Sequence, residues 1–273
     1  MSQSREEFIR TLQKMAIWAK ERRDFLDNPK SWWNDKNDYH IRIGGDGFTA
    51  ISLCDNYPLL AFNSKPVNSI DELQYYFENG KIENPGKSET EFRAQAWLIK
   101  QAKNQKMSLR AGLGLQENPY YDEILFALDE VRISGEDSIK RPDILAVGVH
   151  GDKAFPVFIE LKCKRKTKEL LEQLEKYQAE VNQYKFEFSE LLGQCIGRKV
   201  EVSNFGKFIV WPNTLSGKTS PIVDTEGQCR QASITIVESN SHDWSKIPWS
   251  DIKDSPFYVL NGKVRPPTPY KGN

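Results

Sequence analysis

The chain has 273 residues, of which 38% are hydrophobic and 28% are charged, as is usual for soluble globular proteins. This length allows one large domain or two smaller ones. Lys plus Arg and Asp plus Glu each number 38, so the formal net charge is zero. This excludes the overall basic balance of a protein that coats nucleic acid, and any nucleic-acid surface is expected to be local.

From the sequence we expect neither a targeting segment nor a metal-binding cysteine motif. The N-terminal residues lack the apolar stretch of a signal peptide, and no run of apolar residues is long enough to span a bilayer. We therefore expect a cytoplasmic protein with no membrane partner. The cysteines form no CxxC pair, which argues against a structural zinc site and a disulfide framework: Cys54, Cys163, Cys195 and Cys229.

The first 80 residues predict a small α+β region of unknown role. Ser4 and Glu7 have the spacing of a capping box at the start of a helix. The apolar residues that follow recur on one helical face: Phe8, Leu12, Met15 and Ala19. Strands are predicted at 40–43 and 48–53, separated by a glycine-rich turn.

The middle of the chain predicts a helix followed by strands. The helix extends from about Glu89 to Lys106, and residues 122–133 read equally as a strand or a short helix. Apolar strands are predicted at 143–149 and 156–162. The polar, glycine-containing segment between them indicates that these two strands form a hairpin.

A long helix is predicted over 167–188, followed by a strand at 207–211. Its apolar residues form a continuous stripe: Leu170, Leu174, Tyr177, Val181, Tyr184 and Phe188. The order of elements predicts an α/β (α+β) fold with a mixed β-sheet flanked by helices. We divide the chain into residues 1–80, a core at 81–215, and a C-terminal extension at 216–273 that packs on the core and ends in a mobile tail.

Charged residues at the ends of the predicted hairpin strands carry the chemistry. Glu160 and Lys162 point to the same face of their strand, and the hairpin can bring Asp143 beside Glu160. Burying such charges is costly unless they are paired or bind a metal. Carboxylate oxygens suit Mg²⁺, which activates water, and Lys162 could orient that water or stabilise the transition state.

These residues resemble the signature of the PD-(D/E)xK nuclease superfamily. Pro142-Asp143 and Glu160-Leu161-Lys162 match its Pro-Asp and Glu-x-Lys elements, and the resemblance covers roughly residues 88–211. It implies a restriction-endonuclease-like core of helix, three strands, helix and strand. It also implies that Asp143 and Glu160 bind the metal and that Lys162 is the catalytic lysine.

Two further positions extend the resemblance. Many members of the superfamily place a glutamate on the helix before the strands, and the candidates are Glu89 and Glu91. Glu89, the third implied metal ligand, is slightly favoured because it shares a face with the apolar residues of that helix, whereas Glu91 could complete a capping box with Ser88.

The helix after the lysine also resembles a branch of the superfamily. RecB-like exonucleases and type I restriction nuclease domains carry Gln-x-x-x-Tyr there, and Gln173 and Tyr177 match it, implying support of the metal site or positioning of DNA. A core role for Tyr177 is an equal alternative. Lys164 and Arg165 adjoin the site and could contact phosphates.

The resemblance therefore implies a Mg²⁺-dependent (endo)deoxyribonuclease, a hydrolase with DNA as its partner, and analogy of fold suggests a function in defence or restriction. Mn²⁺ could replace Mg²⁺, and the resemblance makes a homodimer possible. No nucleotide cofactor is expected, because Pro212 stands where a P-loop at Gly217-Lys218-Thr219 would need a glycine.

Two alternatives remain open at this level. The fold could be retained as a non-catalytic module that binds nucleic acid or protein. The motif could also occur by chance in an α/β scaffold, with Asp143 as an ordinary residue at a strand start. In that case, Glu160 and Lys162 would form a solvent-facing charged pair.

Overall fold

The computed structural model describes residues 3–54, 58–62, 65–79, 90–115, 118–136, 141–163, 167–213 and 222–270. The α-helices are α1 Arg5–Asp27, α2 Ile70–Asn79, α3 Thr90–Asn104, α4 Thr167–Gln183, α5 Lys185–Ile196 and α6 Ile222–Gln231. The strands are β1 Tyr39–Gly44, β2 Gly47–Ser52, β3 Glu123–Asp129, β4 Ile144–His150, β5 Lys153–Leu161, β6 Asn204–Pro212, β7 Thr235–Ser239, β8 Phe257–Val259 and β9 Thr268–Pro269.

Among the described residues, no helix combines the length and apolarity that crossing a bilayer requires.

Helix α1 begins at the predicted capping box. The Ser4 hydroxyl accepts a hydrogen bond from the Glu7 N–H at 3.3 Å, and the Glu7 carboxylate accepts one from the Ser4 N–H at 2.9 Å. Together they satisfy two backbone donors that a helix start leaves free. The predicted apolar face is buried, and it packs against α5.

A mixed sheet forms the centre of the molecule, with strand order β3-β4-β5-β6-β7-β8. The pairs β3–β4 and β4–β5 are antiparallel, β5–β6 and β6–β7 are parallel, and β8 and β9 pair in antiparallel fashion with β7 and β6. The predicted hairpin and the mixed sheet flanked by helices are thus confirmed, and residues 123–129 form a strand rather than a helix.

Each face of the sheet is covered by its own hydrophobic cluster. On one face, Phe158 and Ile209 pack with residues of α1, α4 and α5. On the other, Val157 and Ile159 pack with α3 and with a C-terminal aromatic group that includes Trp244 and Trp249. The alternation along β5 therefore sends Glu160 toward α4, because odd-numbered neighbours face α3.

The long helix predicted over 167–188 is instead two helices. Tyr184 separates α4 from α5 with φ −112° and ψ 37°, outside the helical range, so the single-helix prediction is wrong at this residue. Its ring packs edge-on against Phe8 of α1, with ring centroids 5.0 Å apart. The predicted apolar stripe continues across the break, because Tyr184 and Phe188 are both buried.

A buried ionic network connects the β1–β2 hairpin to the central sheet. The Asp129 carboxylate, at the end of β3, has no exposed side-chain surface. It accepts hydrogen bonds from His40 Nε2 at 2.9 Å and from Arg42 Nε at 2.7 Å, and from a second nitrogen of Arg42. Burial opposes the charge, but Arg42 and His40 hold the pKa of Asp129 below its ordinary value.

We expect Asp129→Asn to lower the free energy of unfolding by about 3 kcal/mol at neutral pH, because it leaves the Arg42 charge without its buried partner. The exposed turn variant Asp152→Asn is the control and should change stability by less than about 0.5 kcal/mol. Urea denaturation measures both.

The same network has a defined pH dependence. Because the folded-state pKa of Asp129 is depressed, its contribution is complete above the ordinary value of 3.8 and is lost as the pH falls below it. The difference between wild type and Asp129→Asn should therefore shrink in acid. Equal unfolding midpoints at neutral pH would contradict a stabilising role for the pair.

Candidate active site

Asp143, Glu160 and Lys162 come together at one end of the sheet. The Lys162 ammonium lies 3.1 Å from Glu160 Oε2 and 3.5 Å from Asp143 Oδ2. The side chain of Glu160 has no exposed surface, whereas those of Asp143 and Lys162 are 16% and 25% exposed. The buried Glu160 carboxylate therefore lies next to the partly exposed, oppositely charged pair of Asp143 and Lys162. Glu160 is thus not part of a solvent-facing ion pair.

The two carboxylates are fixed by hydrogen bonds that cross between adjacent strands. Asp143 Oδ2 accepts a bond from the Leu161 N–H at 2.6 Å, and Glu160 Oε1 accepts a longer one from the Asp143 N–H at 3.4 Å. Each acidic side chain thus binds the backbone of the other strand. This reciprocal arrangement holds the side chains close together despite their like charge.

Glu91 brings a third carboxylate from the first turn of α3. Its Oε1 accepts a hydrogen bond from the Cys163 N–H at 2.7 Å, and its Oε2 lies 3.9 Å from the Lys162 ammonium. Glu89, the residue slightly favoured from the sequence, lies outside the described residues, as do Lys164 and Arg165. Of the two predicted glutamates, Glu91 is the one whose position is known.

Tyr177 and Gln173 approach the site from α4. Tyr177 is fully buried, packs against Phe158 at a ring-centroid distance of 5.5 Å, and accepts a hydrogen bond from Gln173 Nε2. Its hydroxyl lies near Glu160, where it opposes in part the burial that raises the pKa of that carboxyl. The two alternatives for Tyr177 are therefore not exclusive, since it is both a core residue and a neighbour of the buried carboxylate.

Two residues that sequence reasoning missed hold the backbone at Asp143. Gln95 lies one helical turn after Glu91, is buried, and donates a hydrogen bond to the Asp143 carbonyl at 2.8 Å. The Glu130 N–H bonds the same carbonyl at 3.3 Å, and Glu130 adopts a left-handed conformation with φ 50°. In the sequence, Gln95 stands out as a polar residue within the apolar stretch of α3, and this pattern could have indicated a buried hydrogen-bonding role.

The acidic side chains of the site are buried close together, which favours the binding of protons or cations. Burial and the charge of Asp143 raise the pKa of Glu160 to about 8, and burial also raises the pKa of Asp143. Burial raises the pKa of Glu130 to about 7, with Asp143 adding to the effect. The carboxylates outweigh the burial of Lys162 and raise its pKa, so this side chain stays an ammonium ion at neutral pH.

The donor set fits a divalent cation held by two carboxylates. Glu160 Oε2 is buried and makes no hydrogen bond of good geometry within the described part of the chain, although it forms an ion pair with Lys162. Those described residues contain no group of three or more His, Cys, Asp or Glu side chains that could hold a metal ion. Asp143 and Glu160 alone fit Mg²⁺, which commonly takes one or two carboxylates and completes its shell with water and phosphate oxygens.

Comparison of the chain with protein-family models and with curated protein sequences finds no match.

Proposed function

We propose that this protein is a Mg²⁺-dependent nuclease that hydrolyses phosphodiester bonds in DNA. The observation that carries the proposal is the convergence of three carboxylates on one ammonium, with Lys162 Nζ at 3.1, 3.5 and 3.9 Å from Glu160, Asp143 and Glu91. An excess of buried negative charge is costly unless a cation binds there. A phosphodiester substrate suits such a site, because its oxygens complete the shell of the metal.

The arrangement of elements around the site supports the same proposal. Helix α3 precedes the antiparallel strands β3, β4 and β5, and α4 leads to β6, which is parallel to β5. This order resembles the restriction-endonuclease-like core that the PD-(D/E)xK signature implies. Asp143 precedes β4 and Lys162 follows β5, so both come from adjacent ends of the hairpin.

Each side chain has a defined contribution to hydrolysis under this proposal. When bound between Asp143 and Glu160, Mg²⁺ would supply Lewis acidity and lower the pKa of a bound water. Lys162, as an ammonium ion, would stabilise the charge that develops on the phosphate oxygens.

The surrounding residues position this group. Glu91 fixes the backbone after Lys162 through the Cys163 N–H. Tyr177, which accepts a hydrogen bond from Gln173, lies beside Glu160. Gln95 fixes the backbone of Asp143 by a hydrogen bond to its carbonyl. Such preorganisation is what keeps reacting groups aligned without rearrangement during the reaction.

We expect Lys162→Ala to reduce metal-dependent DNA cleavage by roughly 10²–10⁴-fold, because it removes the charge that stabilises the transition state. Lys153→Ala is the matched control, since Lys153 is an exposed lysine at the other end of the same strand. Cleavage of supercoiled plasmid, linear duplex, single-stranded DNA and single-stranded RNA, with Mg²⁺, Mn²⁺ or EDTA, measures the effect, and a gel shift of the same substrates measures binding.

The outcomes of that assay separate the alternatives. Equal cutting by wild type and Lys162→Ala would overturn the assignment of the site. DNA binding without cleavage under every metal condition would indicate a non-catalytic binding module instead. Cutting of RNA alone would keep the site and change the substrate.

Mg²⁺ binding should compete with protons at Glu160. Because its pKa in the metal-free protein is about 8, Glu160 is largely protonated at pH 6.5 and largely ionised at pH 9. The affinity for Mg²⁺ should therefore increase as the pH rises across this interval, with proton release on binding. Calorimetry in buffers of different ionisation enthalpy measures both. Asp152→Asn should behave as wild type, and an affinity that is independent of pH would contradict Glu160 as a ligand.

Glu160→Gln should raise the melting temperature in EDTA while abolishing the stabilisation by Mg²⁺. The raised folded-state pKa means that ionised Glu160 opposes folding above its ordinary value of 4.5, and increasingly so up to about pH 8. The gain from the neutral amide should thus be larger at pH 8 than at pH 5. Scanning calorimetry at both pH values tests this, and a lower melting temperature at both would argue for a purely structural glutamate.

A further inference from the structure

A groove of about 580 Å³ lies in the N-terminal region, away from the carboxylate site. It is bordered by α1, the segment between α1 and β1, the start of β1, and the end of α3 with the residues that follow it. Its lining includes Arg22, Trp33, Lys36, His40, Lys103 and Lys106. Glu91 and Lys103 are twelve residues apart on α3, which separates them by roughly 18 Å along the helix axis. The groove is therefore a second feature and not an extension of the first.

The charges that line this groove are strongly unbalanced. Arg22, Lys36, Lys103 and Lys106 carry positive charge, and Asp27 is the one acidic residue in the lining. None of the ion pairs formed by the described residues involves any of these four cations. In a chain with equal numbers of acidic and basic residues, this is a local excess of positive charge.

Arg22 is buried, with neutral hydrogen-bond partners. It is 3% exposed and donates to the Ile41 carbonyl at 3.2 Å and to the Ala127 carbonyl, with Cys195 Sγ 3.8 Å away. These partners satisfy its donors and fix its position. They leave its charge in place, because a carbonyl dipole does not neutralise a cation as a carboxylate does.

Lys103 is held in the same way at the end of α3. Its ammonium donates to the carbonyls of Lys36 at 3.2 Å and Asn37 at 3.3 Å and to a third carbonyl, and it lies 5.3 Å from the Trp33 ring centroid. Burial lowers its pKa to about 8, despite the opposing effect of Asp38, which is paired with Lys100. The ammonium thus lacks a full countercharge.

The backbone after α3 places Lys106 at the groove in an unusual conformation. Lys106 and Met107 have φ values of 51° and 68°, a left-handed conformation that side-chain-bearing residues rarely adopt in succession. Hydrogen bonds hold it: the Met107 N–H bonds the Ala102 carbonyl at 2.7 Å, and the Met107 carbonyl accepts from Phe126 at 2.8 Å. Strain of this kind is often maintained where a binding surface needs it.

We propose that this groove binds a phosphate-bearing ligand of about the size of a nucleotide. Lys36 and Lys106 would contact the phosphate, while Arg22 and Lys103 supply a fixed positive field from the floor. The exposed Asn34 and Asn37, which also line the groove, offer amide groups to the rest of the ligand. The volume falls within the usual range of small-ligand sites.

The phosphate can come from a free nucleotide or from a nucleic-acid strand, and the chemistry of recognition is the same. The proposal does not rest on nuclease activity, since neither Lys162 nor the carboxylates around it line the groove. Binding measured in EDTA, where a metal-dependent nuclease cannot cut, keeps the two proposals experimentally separate.

The test is calorimetric titration of the full chain, in EDTA, with inorganic phosphate, a nucleoside 5′-monophosphate and a short single-stranded oligonucleotide. The test variant is Lys36→Ala/Lys106→Asn, because asparagine tolerates the left-handed backbone at the second position. The control is Lys153→Ala/Lys253→Ala, which removes two exposed lysines elsewhere. Melting temperatures show that all three proteins are folded.

We expect the test variant to weaken binding by about tenfold or more, since it removes two charge-assisted contacts, and the control to match wild type. Binding of the monophosphate would identify a free nucleotide as the ligand, and binding of the oligonucleotide alone would identify a nucleic-acid strand. Absence of binding by all three probes would overturn the proposal, as would an equal loss in the test and control variants.

Discussion

A carboxylate without exposed surface, at the end of an otherwise apolar strand, determines how the surrounding residues are arranged. Glu160 is tolerated there because the Lys162 ammonium lies 3.1 Å away and because the Asp143 N–H reaches its other oxygen. The burial that raises its pKa is also what would make it a selective ligand, since a divalent cation compensates charge that water cannot reach. The cost to folding and the capacity for chemistry thus have the same origin.

Hydrogen bonds connect the N-terminal region to the carboxylate site, although this region contributes no charged side chain to the site. Asp129 joins the β1–β2 hairpin to β3 through His40 and Arg42, and the next residue, Glu130, bonds the backbone of Asp143. The hairpin and Asp143 are therefore connected through adjacent residues of the chain, Asp129 and Glu130. Helix α3 contacts the same backbone position, because Gln95 donates a hydrogen bond to the Asp143 carbonyl.

Local patterns in the sequence predicted most elements, and interactions between distant residues explain the misses. The capping box at Ser4 and the alternation along β5 depend on near neighbours, and both are confirmed. The break at Tyr184 has no local sequence signal, and the residue packs against Phe8 of α1, which is distant in the sequence. Similarly, no spacing rule indicates that Glu91 reaches the Cys163 N–H, since only the folded sheet brings them together.

The contact between α1 and α5 has a consequence for how the chain folds. Arg23 donates to the Gln194 carbonyl at 2.9 Å, and these two residues are 171 positions apart in the sequence. Helix α1 also contacts β1, β2 and α2, but most of its packing is on α5, so this part of its apolar face can be buried only after α5 has been synthesised. Contacts of such long range slow folding, because the entropy of closing the intervening loop is lost before the contact is gained.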